Sequence, residues 1–474
     1  MSQCGVKFKA NPTGEQKRIL SEWMGCARFV YNAKVEEMDY FWTFRQHNLA
    51  LTGYSLPIDQ TYSQFKTELT PWLSDCPSQI LRNAVTKWYE AFQRFLQGKS
   101  GLPVKKKKGK RDSILLTNEL FRLDGVEDQE TGKGTYKLFV GSEQNNLGYL
   151  SFEAHREFEF PNSVTISRKN GDYFVSFSYE DGRKAPTEEE LIGQYGQLDE
   201  ATLGRITLGI DRGVVNPVYT SDGEVFDFTQ EQKASQAKAD HKIEREQRKL
   251  ARQKDKGSRR RERTKRKIAK AHSKKANIRR DFAHQTSRKL VDSDKQILVV
   301  EDLKIANLTA APEPKPADDG KTYLPNGAAA KAGLNKSILQ AGWGMLVTFV
   351  TYKAFRCHKL VLKVPPHHSS QECAECGHTH PDNRPSQSEF VCGRCGHIDH
   401  ADHNGARVVG KRGIKKLQKS VGVNPPSPPA GTRGSACRGT VRRRKESRPA
   451  QPETPVSPKL ERSANRPGED RLPL

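Results

Sequence analysis

The sequence predicts a multidomain α+β protein, and three observations carry that expectation. A helical, aromatic-rich block spans residues 11–98. Short apolar runs set off by Gly, Asn and Asp turns follow between Ser113 and Glu180, the pattern of a strand-rich domain. Beyond residue 203, apolar strands that end in carboxylates alternate with long charged helices and lead into two C-x-x-C pairs.

The bulk numbers narrow the class of partner. The chain has 474 residues, enough for about two to four domains with a sizeable core. Lys and Arg number 80 against 56 Asp and Glu, a formal net charge of +24. A clustered surplus of that size favours a polyanion, because basic groups displace condensed counterions from phosphates. No apolar run approaches the ~20 residues of a membrane span, and the N-terminus lacks the apolar core of a secretion signal. The expectation is an intracellular protein with no membrane partner. Four of the nine cysteines form the C-x-x-C pairs, which in a reducing compartment read as metal ligands.

Taken in order, Gly5–Lys9 alternates apolar and basic residues and predicts one strand. Asn11-Pro-Thr-Gly-Glu15 starts a helix from Gln16 to about Leu49, with Leu20, Trp23, Met24, Ala27 and Val30 at three- and four-residue steps. A second helical block runs from Thr61 to Leu96, with a start signal at Pro77-Ser78 and a stripe of Ile80, Ala84, Trp88 and Phe92. Gln79 and Asn83 are its polar candidates for a groove. Lys105, Lys106, Lys107 and Lys108, within the run that ends at Arg111, are candidate phosphate contacts that position without reading sequence. Residues 113–180 predict a small β-barrel. Thr187 to Leu203 is polar and acidic and reads as a linker.

Ile206–Asp211 is an apolar run ending on a carboxylate. Val214–Thr220 and Glu224–Phe228 follow across the turn Ser221-Asp222-Gly223. Three such strands with an acid on the first open an RNase H-like sheet. Residues 242–280 then carry 19 Lys and Arg against four acids. Their spacing predicts two helices broken near Gly257-Ser258, a hairpin lying along a duplex backbone. Arg259, Arg260, Arg261, Arg263 and Lys267 are its candidate contacts. Lys295–Leu303 is a buried strand carrying Glu301. Residues 309–333 read as a mobile loop, Leu339–Phe355 as a helix, Lys359–Val364 as a strand, and Asp402 to Leu417 as a last helix. The Pro-, Ser- and Arg-rich stretch 423–474 predicts disorder.

Two constellations carry chemistry. Cys373, Cys376, Cys392 and Cys395 have 15 residues between the pairs and a glycine after each, the spacing of a closed four-thiolate Zn²⁺ site with a structural role. His378, His380, His397 and His400 lie nearby, but the site is already full. Asp211, Glu301 and Asp402 follow the order of a sheet that brings three acids together. Crowded carboxylates need a counter-charge, which implies Mg²⁺ or Mn²⁺; two such ions would serve both the attacking water and the leaving oxygen of a phosphodiester. Asp222, Asp302 and Asp399 are expected outside the site, Asp302 because strand alternation turns it away from Glu301.

These residues resemble the TnpB family of transposon-encoded RNA-guided DNA nucleases, relatives of compact type V CRISPR effectors and Fanzor proteins. The resemblance rests on Gly25-Cys-Ala-Arg-Phe-Val-Tyr-Asn32, Pro77-Ser-Gln79, Gly209-Ile-Asp211-Arg-Gly213, Val300-Glu-Asp-Leu303 and Ala341-Gly-Trp343-Gly. It continues through Ser370-Gln-x-Cys373, both cysteine pairs and Ala401-Asp402-His-Asn404-Gly-Ala406. It implies a β-barrel wedge domain at 1–10 and 99–186 with a helical recognition domain inserted at 11–98. It implies a RuvC nuclease domain at 203–365 and 401–422, including the basic hairpin at 229–291, with a zinc ribbon inserted at 366–400. Asp211, Glu301 and Asp402 fall on the family's catalytic acids. The implied partners are one guide RNA per protein and target DNA, with no small-molecule substrate. The implied activity is a guided DNA cut beside a short protein-read motif, at the nucleoid of a prokaryotic cell. One departure is His400-Ala-Asp402, where relatives often carry Asp-Arg-Asp. A guided repressor that does not cut, and a transposase or its accessory protein, are the competing readings. Retention of all three acids argues against the first, and the lack of a catalytic tyrosine site argues against strand transfer.

Overall fold

A computed structural model of the chain describes residues 3–52, 59–109, 112–126, 134–180, 182, 185–317 and 322–421. The tail at 423–474, and Lys110 and Arg111 of the basic run, lie outside the described residues.

The first half is one layered unit. Strand β1 (Gln3–Ala10) leads into the long helix α1 (Gly14–Thr52). Thr13 and Gln16 close the start of α1 reciprocally, each side chain accepting from the other's backbone N–H at 3.3 and 3.0 Å. Helix α2 (Ser78–Leu96) begins where Pro77 predicts. The expected helix upstream of it reduces to single 3-10 turns at 63–65 and 71–73, the second opened by Pro71. Ile80, Trp88 and Phe92 of α2 share a core with Leu20, Met24 and Val30 of α1.

Strands β2 (Asp112–Thr117), β3 (Phe121–Val126), β4 (Gly134–Gly141), β5 (Asn146–Ala154), β6 (Ser163–Lys169) and β7 (Asp172–Glu180) complete the unit. With β1 they form a seven-stranded antiparallel sheet in the order β2-β6-β7-β1-β5-β4-β3. Among the described residues, edge strands β2 and β3 do not pair with each other, so the expected barrel is not closed by hydrogen bonds. The N-terminal strand lies mid-sheet, which binds residues 3–10 to a domain that resumes a hundred residues later. Asn83 lines a small pocket with Arg28, Tyr31 and Lys106. Gln79 donates to Thr117 Oγ1 at 3.2 Å and Asn83 to the Leu115 carbonyl at 2.9 Å, fastening α2 to β2.

The linker reading of 187–203 is overturned. Helices α3 (Glu188–Tyr195) and α4 (Glu200–Ile206) occupy it, capped by Thr187 and Asp199. Their surface is acidic, but Leu191, Tyr195 and Leu203 are buried in the second core.

That core surrounds a second sheet. Strands β8 (Thr207–Asp211), β9 (Val218–Thr220) and β10 (Val225–Phe226) form the antiparallel part, with β9 and β10 shorter than the sequence suggests. Helices α5 (Gln230–Arg252) and α6 (Arg259–Asp292) form the basic hairpin, broken at Gly257-Ser258 as expected. The chain continues through β11 (Ile297–Glu301), α7 (Ile305–Leu308), the small ribbon β12 (Lys315–Pro316) and β13 (Tyr323–Leu324), and α8 (Ala328–Ala341). The segment read as a loop over 309–333 therefore holds a ribbon and a helix start. Gly342, at φ +72°, separates α8 from α9 (Trp343–Arg356). Strand β14 (Leu360–Val364) precedes the cysteine module, which contains β15 (Glu389–Val391) and β16 (Ile398–His400), and α10 (Ala401–Val421) ends the described chain.

The five-stranded sheet has the order β10-β9-β8-β11-β14, with β11 parallel to both β8 and β14. Every residue of β11 is buried. Alternation assigns its faces: Ile297 and Val299 pack with Val409, Ile414 and Leu417 of α10, whereas Leu298 and Val300 pack with Leu290 of α6 and Leu346 of α9. Among the described residues no helix is long and apolar enough to cross a membrane.

Helix α10 lies almost on the backbone of the sheet. A Cβ at Gly209 would fall 2.0 Å from the Ala406 carbonyl oxygen, and one at Gly413 would fall 2.4 Å from Val299 Cγ2. Gly209→Ala is therefore expected to lift α10 from β8 and to destabilise the protein by at least about 1–3 kcal/mol, the scale of overpacking. Thermal unfolding checks this; an unchanged midpoint would show that the helix is not seated there.

Candidate active site and cysteine cluster

Each acid of the candidate site comes from an element that ends or begins at it. Asp211 closes β8 and Glu301 closes the neighbouring parallel strand β11. The register pairs Ile210 with Val300, so the two acids leave the sheet side by side. Asp402 lies in the first turn of α10. All three line one pocket of about 340 Å³, together with Trp343, Ser369 and Arg384.

The acids are individually anchored. Asp211 Oδ1 accepts from the Arg212 backbone N–H at 2.8 Å, and Glu301 Oε1 accepts from the Ser369 hydroxyl at 2.6 Å. Asp402 Oδ2 accepts from Asn216 at 3.0 Å, and Arg384 stands 3.6 Å from its other oxygen. The buried guanidinium of Arg212 donates to the Glu301 carbonyl at 2.5 Å, cross-linking the ends of β8 and β11. Trp343 donates to the Gly213 carbonyl at 3.0 Å and fixes the turn beyond Asp211.

Burial, with the charges of Glu301 and Asp402 added, pushes the Asp211 carboxyl up to about 7, against a weaker opposing pull from Arg384. Burial also draws Arg212 below its ordinary range. The pocket thus holds negative charge that its own cations do not balance. A hard divalent cation suits such an oxygen donor set. The acids share a pocket without forming a closed cage: among the described residues, only the four cysteines form a metal-ligating group of three or more whose donor atoms all lie within 4.8 Å of one another.

The acids expected outside the pocket are occupied elsewhere. Asp302 pairs with Lys304 at 2.7 Å, and Asp222 pairs with Lys295 at 3.1 Å. Asp399, in the ribbon, accepts from His403 of α10 at 2.9 Å. Sequence reasoning assigned no role to Arg212, Asn216, Trp343, Ser369 or Arg384. Arg212 and Trp343 sat inside the quoted motifs; Ser369 and Arg384 are brought in from the cysteine module only by folding.

The cysteines form a compact cluster. Sγ of Cys373 lies 3.7 Å from that of Cys395, and Cys376 lies 3.6 Å from Cys392. A zinc ion with bonds of about 2.3 Å to four thiolates would space them about 3.8 Å apart, so the residues fit Zn²⁺. The two knuckles match: Gly377 and Gly396 take φ of +71° and +75°, and their N–H groups donate to Cys373 and Cys392. The histidines stand outside the sulfur set. Asn404 of α10, fully buried, accepts from the Ala374 N–H and donates to the Glu372 carbonyl, each at 2.8 Å, holding the first knuckle against the helix.

The basic candidates divide. Lys107, Lys108, Arg259, Arg260, Arg263 and Lys267 are exposed. Lys105 is exposed but pairs with Glu36 at 2.7 Å. Lys106 is turned inward: its ammonium sits 3.6 Å from the Tyr31 ring centroid, and burial lowers its pKa to about 8. Arg261 caps α5 by donating to the carbonyls of Leu250, at 2.9 Å, and Gln253. Lys106 and Arg261 therefore serve the fold, because each finds an internal partner that a charge count does not reveal.

By fold, the chain is similar to the type V effectors. A solved Cas12f1–sgRNA–target DNA complex has the same fold over 86% of this chain and 98% of its own, with a TM-score of 0.50 at 11% identity. Family models match as well: "Cas12f1-like, TNB domain" over residues 343–409, "Probable transposase" (OrfB_IS605) over 184–311, and its helix-turn-helix domain over 1–39. The chain is 32% identical to the "Putative RNA-guided DNA endonuclease InsQ" of Escherichia coli K12, across 85% of this chain and 90% of that protein. It is 27% identical to a "Putative RNA-guided DNA endonuclease" of Streptomyces pristinaespiralis, across 88% and 91%. The chain belongs to the TnpB family, the OrfB proteins of IS605-type elements.

Two outcomes are expected. Asp211 has a folded pKa of about 7 against an ordinary 3.8, so the unfolded chain ionises first and stability is lost as pH rises between those values. In buffer holding zinc as its sole divalent metal, Asp211→Asn should be more stable than wild type at pH 8 by up to roughly 4 kcal/mol, with the gap vanishing below about pH 4. Denaturant unfolding across pH reads this, and a gap that does not change with pH would contradict the crowding. Separately, Cys373→Ser should lower bound zinc and destabilise the ribbon; full zinc content by elemental analysis would refute the four-thiolate site.

Proposed function

We propose that this protein is an RNA-guided DNA endonuclease that hydrolyses phosphodiester bonds in the pocket of Asp211, Glu301 and Asp402. The observation that carries the reading is the junction of those acids in one buried, negatively charged pocket, in a chain alike over most of its length to proteins named as RNA-guided DNA endonucleases. The seven-stranded sheet acts as the wedge, α1 and α2 as the recognition domain, the five-stranded sheet with its helices as the RuvC nuclease, and residues 366–400 as its zinc ribbon. A guide RNA selects the target by base pairing, while the protein reads a short adjacent motif.

Asp211, Glu301 and Asp402 would hold Mg²⁺ or Mn²⁺, which when bound would supply Lewis-acid chemistry for phosphodiester hydrolysis. Ser369 and Asn216 orient Glu301 and Asp402 through their hydrogen bonds. Arg212 keeps the two strand ends in register. Arg384 offsets part of the charge beside Asp402. Exposed Arg259, Arg260, Arg263 and Lys267 of α6 give sequence-independent phosphate contacts.

The test starts from the RNA that co-purifies with the protein. Its sequence defines a plasmid target, and cleavage is assayed with Mg²⁺. Asp211→Ala, Glu301→Gln and Asp402→Asn should each lower cleavage by at least roughly 10³-fold, the scale of losing a catalytic group, while retaining bound RNA. A wild type that binds matched target yet never cuts would identify a guided repressor instead.

A further inference from the structure

Among the described residues three free thiols lie outside the ribbon: Cys26 and Cys76, both buried, and Cys357, exposed. The first two come from different segments of the chain and meet. Cys26 projects from α1 between Trp23 and Val30 and shares their core. Cys76 sits just ahead of α2, beyond the 3-10 turn at 71–73. That turn touches both residues. The Cys26 thiol donates to the Trp72 carbonyl at 3.9 Å, and the Cys76 backbone N–H donates to the Leu73 carbonyl at 3.4 Å. The two thiols are also hydrogen-bonded to each other. Neither belongs to the four-cysteine cluster.

The pair is unequal in access and in charge. Cys26, and not Cys76, lines a cavity of about 810 Å³ walled by Phe29 and Trp72, whose rings meet edge to face at 5.0 Å. A small solute can reach Cys26 from that side, whereas Cys76 is only 2% exposed. The hydrogen bond from Cys76 draws the Cys26 thiol below its ordinary range, against burial and the charges of Asp75 and Glu22. The same bond, with burial, pushes the Cys76 thiol well up. Cys26 is therefore the better nucleophile, and Cys76 keeps its proton.

We propose that Cys26 and Cys76 form a peroxide-reactive dithiol site, with Cys26 the nucleophile and Cys76 the resolving thiol. The Cys26 thiolate attacks one oxygen of hydrogen peroxide. An S–O bond forms, the O–O bond breaks, and the departing hydroxide takes up the proton that Cys26 released and leaves as water. The Cys76 sulfur then attacks the Cys26 sulfenic acid. The S–S bond forms, the S–O bond breaks, and the second hydroxide leaves as water with the Cys76 proton. Two electrons pass from the thiols to the peroxide. The bridge ties α1 to the segment that starts α2, and a thiol reductant reopens it. The site needs neither nucleic acid nor the acid pocket.

The test uses the full-length, zinc-loaded protein. It is treated with equimolar hydrogen peroxide, its remaining thiols are blocked, and its peptides are mapped by mass spectrometry over time. A peptide bridged between Cys26 and Cys76 should appear and be lost on adding dithiothreitol. The exposed Cys357 should be oxidised at least about tenfold more slowly, since thiolate character outweighs exposure. Cys76→Ser should leave a sulfenic acid at Cys26 that dimedone captures, and Cys26→Ser should leave Cys76 reduced. If either variant folds poorly, the wild-type time course decides alone, with dimedone capture at Cys26 preceding the bridge. A wild type that forms no bridge, oxidation of Cys357 ahead of Cys26, or a sulfenic acid at Cys76 in Cys26→Ser would each overturn the proposal.

Discussion

The contact between α10 and β8 is the constraint on which the site depends. Only glycine at 209 lets a helix carbonyl come so close to the strand. That approach puts the first turn of α10, with Asp402, at the strand end that carries Asp211. It also seats Asn404 where it can hold the first cysteine knuckle through two backbone hydrogen bonds. The knuckle belongs to the module that delivers Ser369 to Glu301 and Arg384 to Asp402. Helix, sheet and ribbon are therefore positioned by one close packing. Asp402 gains from the positive end of the helix as well, since the first-turn N–H groups favour an anion.

The electrostatics follow from how that packing spends its cations. Arg212 lines the pocket with the acids, yet its hydrogen bond goes to a backbone carbonyl and joins two strands. Arg384 is the remaining cation in the pocket and lies 3.6 Å from one oxygen of Asp402. Burial, with the charges of Glu301 and Asp402, then outweighs the Arg212 backbone hydrogen bond and Arg384 at Asp211. The same packing that assembles the three carboxylates disfavours the anion of Asp211, which a divalent cation at the site would relieve.

The parts legible in the sequence were those whose meaning is local. Asp211 and Glu301 were readable because an apolar run ended on each, and the cysteines because C-x-x-C spacing dictates a knuckle. The break at Gly257-Ser258 and the start of α2 at Pro77-Ser78 were backbone signals of the same kind. What stayed hidden depended on partners distant in sequence. Ser369 and Arg384 lie in a loop and show no pattern until the ribbon folds against α10. Helices α3 and α4 read as a linker because nine polar residues over 187–203 masked three buried ones. Lys106 and Arg261 looked like phosphate ligands by charge alone, but Tyr31 and the Leu250 carbonyl claim them. Among the described residues the barrel expected from alternating strands is not closed by hydrogen bonds, because alternation fixes which face is buried and says nothing about closure.

The charge distribution has a mechanical counterpart. Residues 242–280 carry 19 Lys and Arg against four acids, so most of the net charge of the chain sits on the α5–α6 hairpin. Such a hairpin would repel itself if it were not fastened. Lys275 of α6 is buried against Asp240 of α5 at 2.6 Å, and it reaches Gln340 of α8 at 3.4 Å. Gln340 in turn donates to Gln236 of α5. Helix α8 thus clamps both arms of the hairpin, and two of its other residues, Leu334 and Ile338, line the acid pocket. A nucleic-acid backbone held by the hairpin is therefore referenced to the acids through one short helix. Polar residues on one face of α8 bind the hairpin, and apolar residues on another wall the pocket. The distance between the basic hairpin and the acidic pocket is set by packing within a single folded unit.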